Sequence, residues 1–261
     1  MNKLIGALLA LILAVAAMPG MAQQATPAPS TLAPSTPVPS TVSPEQKAAF
    51  EKIVHDYLVE HPEVVKEAIL ALQAQDEATK ADSQAQAVNA HKDELYSDPA
   101  TPVAGNPIGD VTIVEFFDYH CPYCKAVAQP LDQLLKDDKG IRLVLKEFPI
   151  LGEDSLLASR AALSAAGQGK YWAFHQALMA HRGKFDADSL QAIAAKVGVD
   201  PVQLQAAMKA GVPGAQIAAT RKLADALDVS ATPTFVIGGE VVEGAVPLER
   251  LKELVKKARG G

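Results

Sequence analysis

Residues 111–124 read VTIVEFFDYHCPYC, and this stretch decides the fold. Its first seven residues are β-branched or aromatic apart from one acid, a pattern typical of a strand buried on both faces. Its last four residues hold both cysteines of the 261-residue chain, as Cys121-Pro122-Tyr123-Cys124. We expect a helix to begin at this pair and to continue through Leu134 or Leu135. The two cysteines would then lie at the junction of a buried strand and a helix.

The spacing of the two cysteines indicates a reactive pair rather than a structural disulfide. A bridge that closes so short a loop constrains the unfolded chain little. At a helix N-terminus, unpaired backbone N–H groups and the positive end of the dipole favour a thiolate. We therefore expect Cys121 to be the nucleophile and the more buried Cys124 to resolve the mixed disulfide. Metal sites use the same spacing, so a copper-binding protein that holds Cu(I) on the two thiolates is the alternative.

Two neighbouring residues are candidates to support this chemistry. His120 precedes the nucleophile and, when protonated, would stabilise its thiolate; an ordinary turn residue is the alternative. Glu115 is the single acid in the apolar strand, and burial would raise its pKa and suit it to proton transfer with Cys124. Alternatively, Glu115 pairs with Lys146 on the adjacent strand, and both roles could hold together.

A second motif, Ala231-Thr232-Pro233-Thr234-Phe235, lies far along the chain. A proline at the start of a central strand is normally unfavourable, because it cannot donate a ladder hydrogen bond. A cis peptide bond at Thr232-Pro233 that faces the cysteines would explain its presence. It would also leave the Thr232 backbone free to pair with an extended substrate. We therefore count Thr232 and Pro233 among the catalytic residues; a plain strand-edge proline is the alternative.

The order of the predicted elements from residue 95 onward indicates the fold class. The elements are a strand at 111–117, the cysteine helix, a strand at 141–148, an alanine-rich helical block at about 154–227, two short strands at 234–237 and 240–242, and a helix at 247–257. Gly238-Gly239 between the short strands is typical of a tight hairpin. Without the helical block, this is the order of the thioredoxin core. We predict an α/β catalytic domain over residues 95–261 with a thioredoxin fold and a helical insertion.

The N-terminus has the pattern of an export signal. Lys3 precedes an apolar run that ends in Gly20-Met21-Ala22, which predicts a signal peptide over residues 1–22, cleaved after about Ala22. The run is too short to span a bilayer comfortably, so an uncleaved anchor is the less favoured alternative. No later segment is apolar enough to insert into a membrane. The net charge of −6 gives no electrostatic reason to bind nucleic acid.

Two segments separate the signal from the catalytic domain. Residues 23–44 are rich in Pro, Ser and Thr and predict an extended linker. Residues 45–94 have helical periodicity, beginning with a capping box at Ser43 and Gln46. Within this segment, residues 45–92 either pack on their own catalytic domain or form an oligomerisation stalk. We favour the stalk, because a linker and a long helix together are typical of a separate module.

The residues around both motifs resemble a known family. The stretch 114–125 is similar to the active site of DsbA-family disulfide oxidoreductases, and closer still to the suppressor-of-copper-sensitivity C (ScsC) type. The similarity extends from residue 45 to about 258, through Tyr57-Leu58-Val59-Glu60-His61-Pro62 and Lys146-Glu147-Phe148-Pro149 to Thr232-Pro233. The resemblance implies a periplasmic enzyme without a cofactor, redox partners in the envelope, and N-terminal oligomerisation in some members.

Two positions depart from DsbA itself. Tyr123 replaces the histidine between the cysteines, and Thr232 precedes the proline where DsbA has valine. Threonine there is similar to the isomerase-type members. The expected function is therefore a periplasmic thiol–disulfide oxidoreductase that acts on exported proteins with cysteines, with isomerase or reductase behaviour favoured over oxidase. A chaperone-like binding module is a further alternative, whereas the export signal and the helical insertion argue against a glutaredoxin.

Overall fold

The computed structural model describes residues 42–260. The predicted signal peptide, its cleavage after Ala22 and residues 23–41 of the predicted linker lie outside the described residues. The chain divides into two units after Pro62. Within residues 42–260, no helix is long and apolar enough to cross a membrane.

The first unit contains helix α1, Pro44–Glu60. The predicted capping box is confirmed: the Ser43 hydroxyl accepts from the Gln46 backbone N–H, and the Gln46 side chain accepts from the Ser43 backbone N–H. None of the residues of α1 is buried. Capping and propensity thus define this helix, and its own unit supplies no core for its apolar side chains.

The second unit begins at Glu63, within helix α2 (Pro62–Ala90), whose two halves differ. The side chains of the first half are exposed, except for the half-buried Val64. In the second half, Gln84 and Val88 are buried. Lys80 forms an ion pair with Glu243 at 2.8 Å, and the Gln84 amide donates to the Leu227 carbonyl at 3.3 Å. The second half of α2 therefore packs on the catalytic domain, whereas the first half presents its apolar side chains to solvent.

A five-stranded sheet forms the centre of the second unit. Its strands are β1 (Val103–Gly105), β2 (Val111–Phe117), β3 (Ile141–Glu147), β4 (Thr234–Ile237) and β5 (Glu240–Glu243), in the order β1-β3-β2-β4-β5. β2 and β3 run parallel, and the other three neighbouring pairs are antiparallel. β2 and β3 are covered on both faces, which explains their nearly continuous apolar sequence.

Seven helices follow or interrupt these strands. They are α3 (Pro122–Asp137), α4 (Glu153–Ala166), α5 (Tyr171–Ala180), α6 (Ala187–Val197), α7 (Pro201–Lys209), α8 (Val212–Ala226) and α9 (Leu248–Gly260). One apolar cluster joins the α3 side of the sheet to α4, α5, α6 and α9. A second cluster, on the other sheet face, contains residues of α8, α2 and a π-helical turn at Asp93–Ser97. The sheet thus places the start of α3 at the carboxyl end of β2, against the inserted helices.

The predicted fold class, a thioredoxin fold with a helical insertion, is confirmed. The insertion consists of α4 to α8, and the hairpin turn has positive φ at both Gly238 and Gly239. Strand β1 was not predicted, because it has only three residues and follows a Pro-containing turn. The boundaries of the predicted domains stay predictions.

Candidate active site

The cysteine pair lies where β2 ends and α3 begins. Cys121 is the N-cap of α3, and its sulfur accepts from the Cys124 backbone N–H at 3.4 Å. Pro122 occupies the first turn, where a missing N–H costs nothing. Tyr123 is 64% exposed beside the pair, whereas Cys124 is fully buried. Cys121 is itself buried, at 3% exposure, so what distinguishes it from Cys124 is its place at the helix terminus rather than its accessibility.

The proline loop meets the cysteines as the sequence predicted. The Thr232–Pro233 peptide bond is cis, and β4 begins directly after it. The Cys121 thiol donates to the Thr232 carbonyl oxygen at 3.1 Å. Within the described residues, the Thr232 hydroxyl makes no hydrogen bond to either sulfur. Thr232 therefore contacts the nucleophile through its backbone carbonyl, and not through its hydroxyl, the group that valine lacks.

The surroundings of Cys124 disfavour its thiolate. The pKa of the Cys124 thiol is raised well above its usual range by burial, and next by the charge of Glu115. Cys124 is thus held as a thiol, which must lose a proton before it attacks. This arrangement supports the predicted roles of Cys121 and Cys124 without testing them.

Glu115 is fully buried in β2, on the sheet face that carries the cysteine cluster. Burial, and next the charge of Glu147, raise the pKa of its carboxyl to about 8. A carboxyl that titrates near neutral pH suits proton transfer. Its negative charge also acts on Cys124, so the two groups are electrostatically coupled.

The alternative partnership of Glu115 with Lys146 is wrong. In the β2–β3 register Glu115 lies opposite Leu145, so Lys146 projects from the other sheet face. The Lys146 ammonium donates to the Glu94 carbonyl at 2.6 Å and to the Thr101 hydroxyl at 2.8 Å. The Lys146 ammonium therefore stabilises the segment at residues 94–101 and does not neutralise Glu115.

His120 is half-buried beside the pair, without a hydrogen bond to Cys121. Its Nε2 atom lies 3.7 Å from a carboxylate oxygen of Asp154, and its ring packs edge-on against Phe185 with centroids 5.0 Å apart. The structure thus brings His120 next to the nucleophile and gives its charged form a counter-ion. Whether it stabilises the thiolate stays a prediction.

Asp118 is an important residue that the sequence analysis missed. Its fully buried carboxylate accepts from the backbone N–H groups of His120 at 2.7 Å and of Ile150 and Leu151 at 2.8 and 2.9 Å. It also accepts from the Ser155 hydroxyl at 2.7 Å. Asp118 therefore holds the active-site loop against the loop before α4 through hydrogen bonds to both. Its signal in the sequence is an acid directly after a buried strand.

A buried polar cluster around Glu147 was also missed. The Tyr119 and Tyr171 hydroxyls both donate to Glu147 Oε1, at 2.9 and 2.7 Å. The Tyr119 oxygen lies 3.1 Å from His175 Nδ1. These residues are far apart in sequence. The sequence signal for the cluster is Glu147 itself, an acid in an otherwise mostly apolar strand.

Within residues 42–260, no group of three or more His, Cys, Asp or Glu side chains could hold a metal ion.

Two families match the chain. Residues 112–256 match the DSBA-like thioredoxin domain, and residues 46–79 match the N-terminal domain of the copper resistance protein ScsC. The first match covers more than half of the chain and contains both cysteines and the cis-proline. The second ends at residue 79, directly before the half of α2 that packs on the catalytic domain.

Solved structures agree with both matches. A thioredoxin-like oxidoreductase from Silicibacter pomeroyi is 47% identical, with 65% of this chain and 98% of that chain covered and a TM-score of 0.63. The thiol-disulfide exchange protein α-DsbA2 of Wolbachia pipientis is 31% identical, with coverages of 69% and 97% and a TM-score of 0.65. Proteus mirabilis ScsC in a transitional conformation is 29% identical, with coverages of 84% and 99% and a TM-score of 0.62.

Among curated proteins, the chain is 31% identical over 161 residues to Na⁺/H⁺ antiporter NhaA 1 of Salinispora arenicola. The match covers 61% of this chain and 25% of the antiporter. The chain thus spans about a quarter of the length of the first curated relatives that it matches. From the cysteine geometry, the cis-proline and the matched residues together, we conclude that the chain belongs to the DsbA-like family of thiol–disulfide oxidoreductases.

Proposed function

We propose that this protein is a periplasmic oxidoreductase that exchanges disulfides in exported proteins, with Cys121 as the nucleophile and Cys124 as the resolving thiol. One observation carries the proposal. The Cys121 sulfur caps α3 and contacts the Thr232 backbone at 3.1 Å, while Cys124 lies fully buried behind it. A helix terminus favours the thiolate that attacks, and the cis-proline loop offers backbone groups to an extended client.

The reduction of a client disulfide follows from this geometry. The Cys121 thiolate attacks one client sulfur, so that a mixed disulfide forms and the other client sulfur leaves as a thiolate that takes up a proton. Cys124 then gives its proton to the ionised Glu115 and attacks the Cys121 sulfur. The Cys121–Cys124 disulfide forms, and the second client thiol is released. The client gains two electrons and two protons; the reverse sequence oxidises a client dithiol.

Isomerisation needs the mixed disulfide to last. If a second client thiol attacks it before Cys124 does, the client bond is rearranged and Cys121 is regenerated. Burial raises the pKa of Cys124, and the need to deprotonate it slows resolution. Slow resolution supports isomerisation. A Cys124 thiol of raised pKa is also a poor leaving group when a client thiol attacks the Cys121–Cys124 disulfide, which disfavours oxidation. An envelope redox partner would then keep the pair reduced.

The N-terminal helices support assembly with further copies of this chain. In α1, Phe50, Ile53 and Tyr57 are more than half exposed, and the first half of α2 exposes Ile69 and Leu72 in the same way. Burial of a large apolar side chain contributes about 1.5–3 kcal/mol. Several such side chains between chains suffice for a small oligomer at micromolar concentration. Several active sites around one client would favour the rearrangement of wrong disulfides.

Trapping tests the assignment of the two thiols. A Cys124→Ser variant, incubated with a client that contains a disulfide, should accumulate a mixed disulfide through Cys121, because no resolving thiol remains. A Cys121→Ser variant is the matched control and should form none. Equal trapping by both variants, or trapping by Cys121→Ser alone, would overturn the proposal.

A further inference from the structure

The second buried acid of the domain, Glu147, has no part in the exchange steps above. It ends β3 on the same sheet face as Glu115: Glu115 lies opposite Leu145, and Glu147 lies opposite Phe117. The two carboxyls therefore project side by side from adjacent strands, two residues apart in register. Both are fully buried, and within the described residues no cation pairs with either.

Glu147 is held by hydroxyl groups on one oxygen only. Oε1 accepts from Tyr119, two residues before the nucleophile, and from Tyr171 at the start of α5. Oε2 is buried without a hydrogen-bond partner; the Ser159 hydroxyl is also unpartnered and lowers the pKa of the carboxyl. A buried carboxylate with one unpartnered oxygen is poorly stabilised, so the carboxyl can hold a proton at neutral pH. Burial accordingly raises the pKa of Glu147 to about 8, although the neighbouring hydroxyl groups oppose this.

The other groups that face Glu147 do not neutralise it. They are Glu115 on β2, Asp118 and Tyr119 on the active-site loop, Ser159 on α4, and Tyr171 and His175 on α5. Burial lowers the pKa of His175 to about 3, so this ring is neutral. A neutral ring that donates its Nδ1–H to Tyr119 leaves the tyrosine hydroxyl free to donate to Glu147. Among the described residues, the charges that act on the pair are therefore negative.

We propose that Glu147 is a positioning residue for thiol–disulfide exchange, whose charge governs when Glu115 can accept the proton of Cys124. Two neighbouring buried carboxyls lose their protons in two steps, because the first charge opposes the second. The two tyrosine hydroxyls favour loss of the first proton from Glu147. From that pH upward the charge of Glu147 holds Glu115 protonated, so Cys124 has no acceptor for its proton until Glu115 ionises as well. The carboxyl pair thus prolongs the mixed disulfide at neutral pH. This inference rests on the proposed function, because it concerns the step in which Cys124 resolves the mixed disulfide.

A Glu147→Gln substitution tests the inference. The glutamine oxygen still accepts from both tyrosines, so the substitution removes the charge and preserves the contacts. We expect the pH at which the resolution rate is half-maximal to fall by about one unit, hence roughly tenfold faster resolution below that pH. In a Glu115→Gln background, the same substitution should leave the pH profile unchanged. A profile identical to wild type, or a shift that persists without Glu115, would overturn the inference.

Infrared titration of the intact protein gives a readout that does not depend on activity. The absorption of protonated carboxyls should disappear in two steps in the wild type and in one step in each single glutamine variant. If Glu147→Gln fails to fold, Tyr171→Phe removes one donor to Glu147 and should shift the profile in the same direction, with Tyr96→Phe as the matched control outside the cluster. A one-step wild-type titration overturns the inference, whereas two steps without thiol exchange would refute only the proposed function.

Discussion

At the residue scale, the chemistry of the site depends on groups that lack a charged partner. Within the part of the chain that the structure describes, Glu115 and Glu147 are buried without a cationic partner, Cys124 is buried beside Glu115, and His175 is buried as a neutral ring. Each of these states costs free energy relative to a solvated group, because burial disfavours charge. The site therefore couples its proton chemistry to the stability of the fold.

The pH dependence of stability should reveal the buried His175. Burial lowers its pKa to about 3, whereas an unfolded histidine titrates near 6.5. The unfolded state therefore binds more protons between these values, and stability falls as the pH falls from about 6.5 toward 3. His175→Gln should remove about 3 kcal/mol of the loss between pH 6.5 and 4, while costing about 1 kcal/mol at pH 7 for the Tyr119 contact.

Urea unfolding of the wild type and of His175→Gln at pH 7 and pH 4 measures this difference. His55→Gln is the matched control, because this histidine lies exposed on α1. Equal acid sensitivity of wild type and His175→Gln would contradict a neutral, buried ring.

Thr232 should influence the direction of the reaction. The residue contacts Cys121 through its carbonyl, and replacing its hydroxyl with a methyl group changes the polarity of the loop that makes this contact. We expect Thr232→Val to shift the reduction potential or the choice of partner toward oxidase-like behaviour. Thr234→Val is unsuitable as a control, because its hydroxyl bonds the Ala231 carbonyl in the same loop; Thr112→Val, at the far end of β2, serves instead. An unchanged potential together with unchanged isomerase activity would refute this expectation.

At the element scale, the second half of α2 is a part of the catalytic domain. The Gln84 amide donates to the carbonyls of Leu227 and Asp228, at 3.3 and 3.4 Å, where α8 ends. Val88 belongs to the apolar cluster beneath them. The second half of α2 is therefore held on the catalytic domain by both a buried hydrogen bond and apolar packing.

Gln84→Ala should release this half of the helix. The two carbonyls would lose a buried donor, at a cost of about 1–3 kcal/mol. Hydrogen exchange of the backbone amides over residues 76–90 should become faster, while that of β2 and β3 should change little. Gln73→Ala, on the exposed first half of α2, is the matched control. Unchanged protection in Gln84→Ala would show that other contacts hold the helix.

The sequence predicted the long elements well because their patterns are local. The β-branched run of β2, the Gly-Gly hairpin and the capping box at Ser43 all depend on neighbours a few residues away. The partner of Glu115 could not be predicted in this way, because strands buried on both faces lack the alternation that assigns a side chain to one face. The Glu147 cluster joins β3 to α5, and only the packing of the inserted helices brings these together.

At the scale of the whole molecule, we propose that the N-terminal segment, residues 45–92, sets how many active sites act together. The apolar side chains of α1 are exposed at intervals typical of one helix face, at Phe50, Ile53 and Tyr57. In the exported protein we expect a second copy of the chain to cover them. The sequence allowed two interpretations of residues 45–92: packing on their own catalytic domain, or an oligomerisation stalk. In the structure, α2 packs on its own domain only in its second half.

A charged substitution on this face should dissociate the assembly. Ile53→Glu in the mature chain should give a monomer that still exchanges thiols but has lost most isomerase activity. Lys52→Glu, a neighbouring change on the polar surface, should keep the assembly. Light scattering measures both. A wild-type protein that is monomeric at high concentration would refute the assembly.

The measurement that tests the central claim most directly is the rate at which each cysteine of the reduced wild-type protein reacts with an alkylating reagent at mildly acidic pH. Peptide mass spectrometry assigns the label to Cys121 or Cys124. Cys121 caps a helix beside the exposed Tyr123, whereas burial raises the pKa of Cys124. We predict that Cys121 is labelled first and Cys124 only after unfolding. Labelling of Cys124 before Cys121 would contradict the assigned roles and the mechanism built on them.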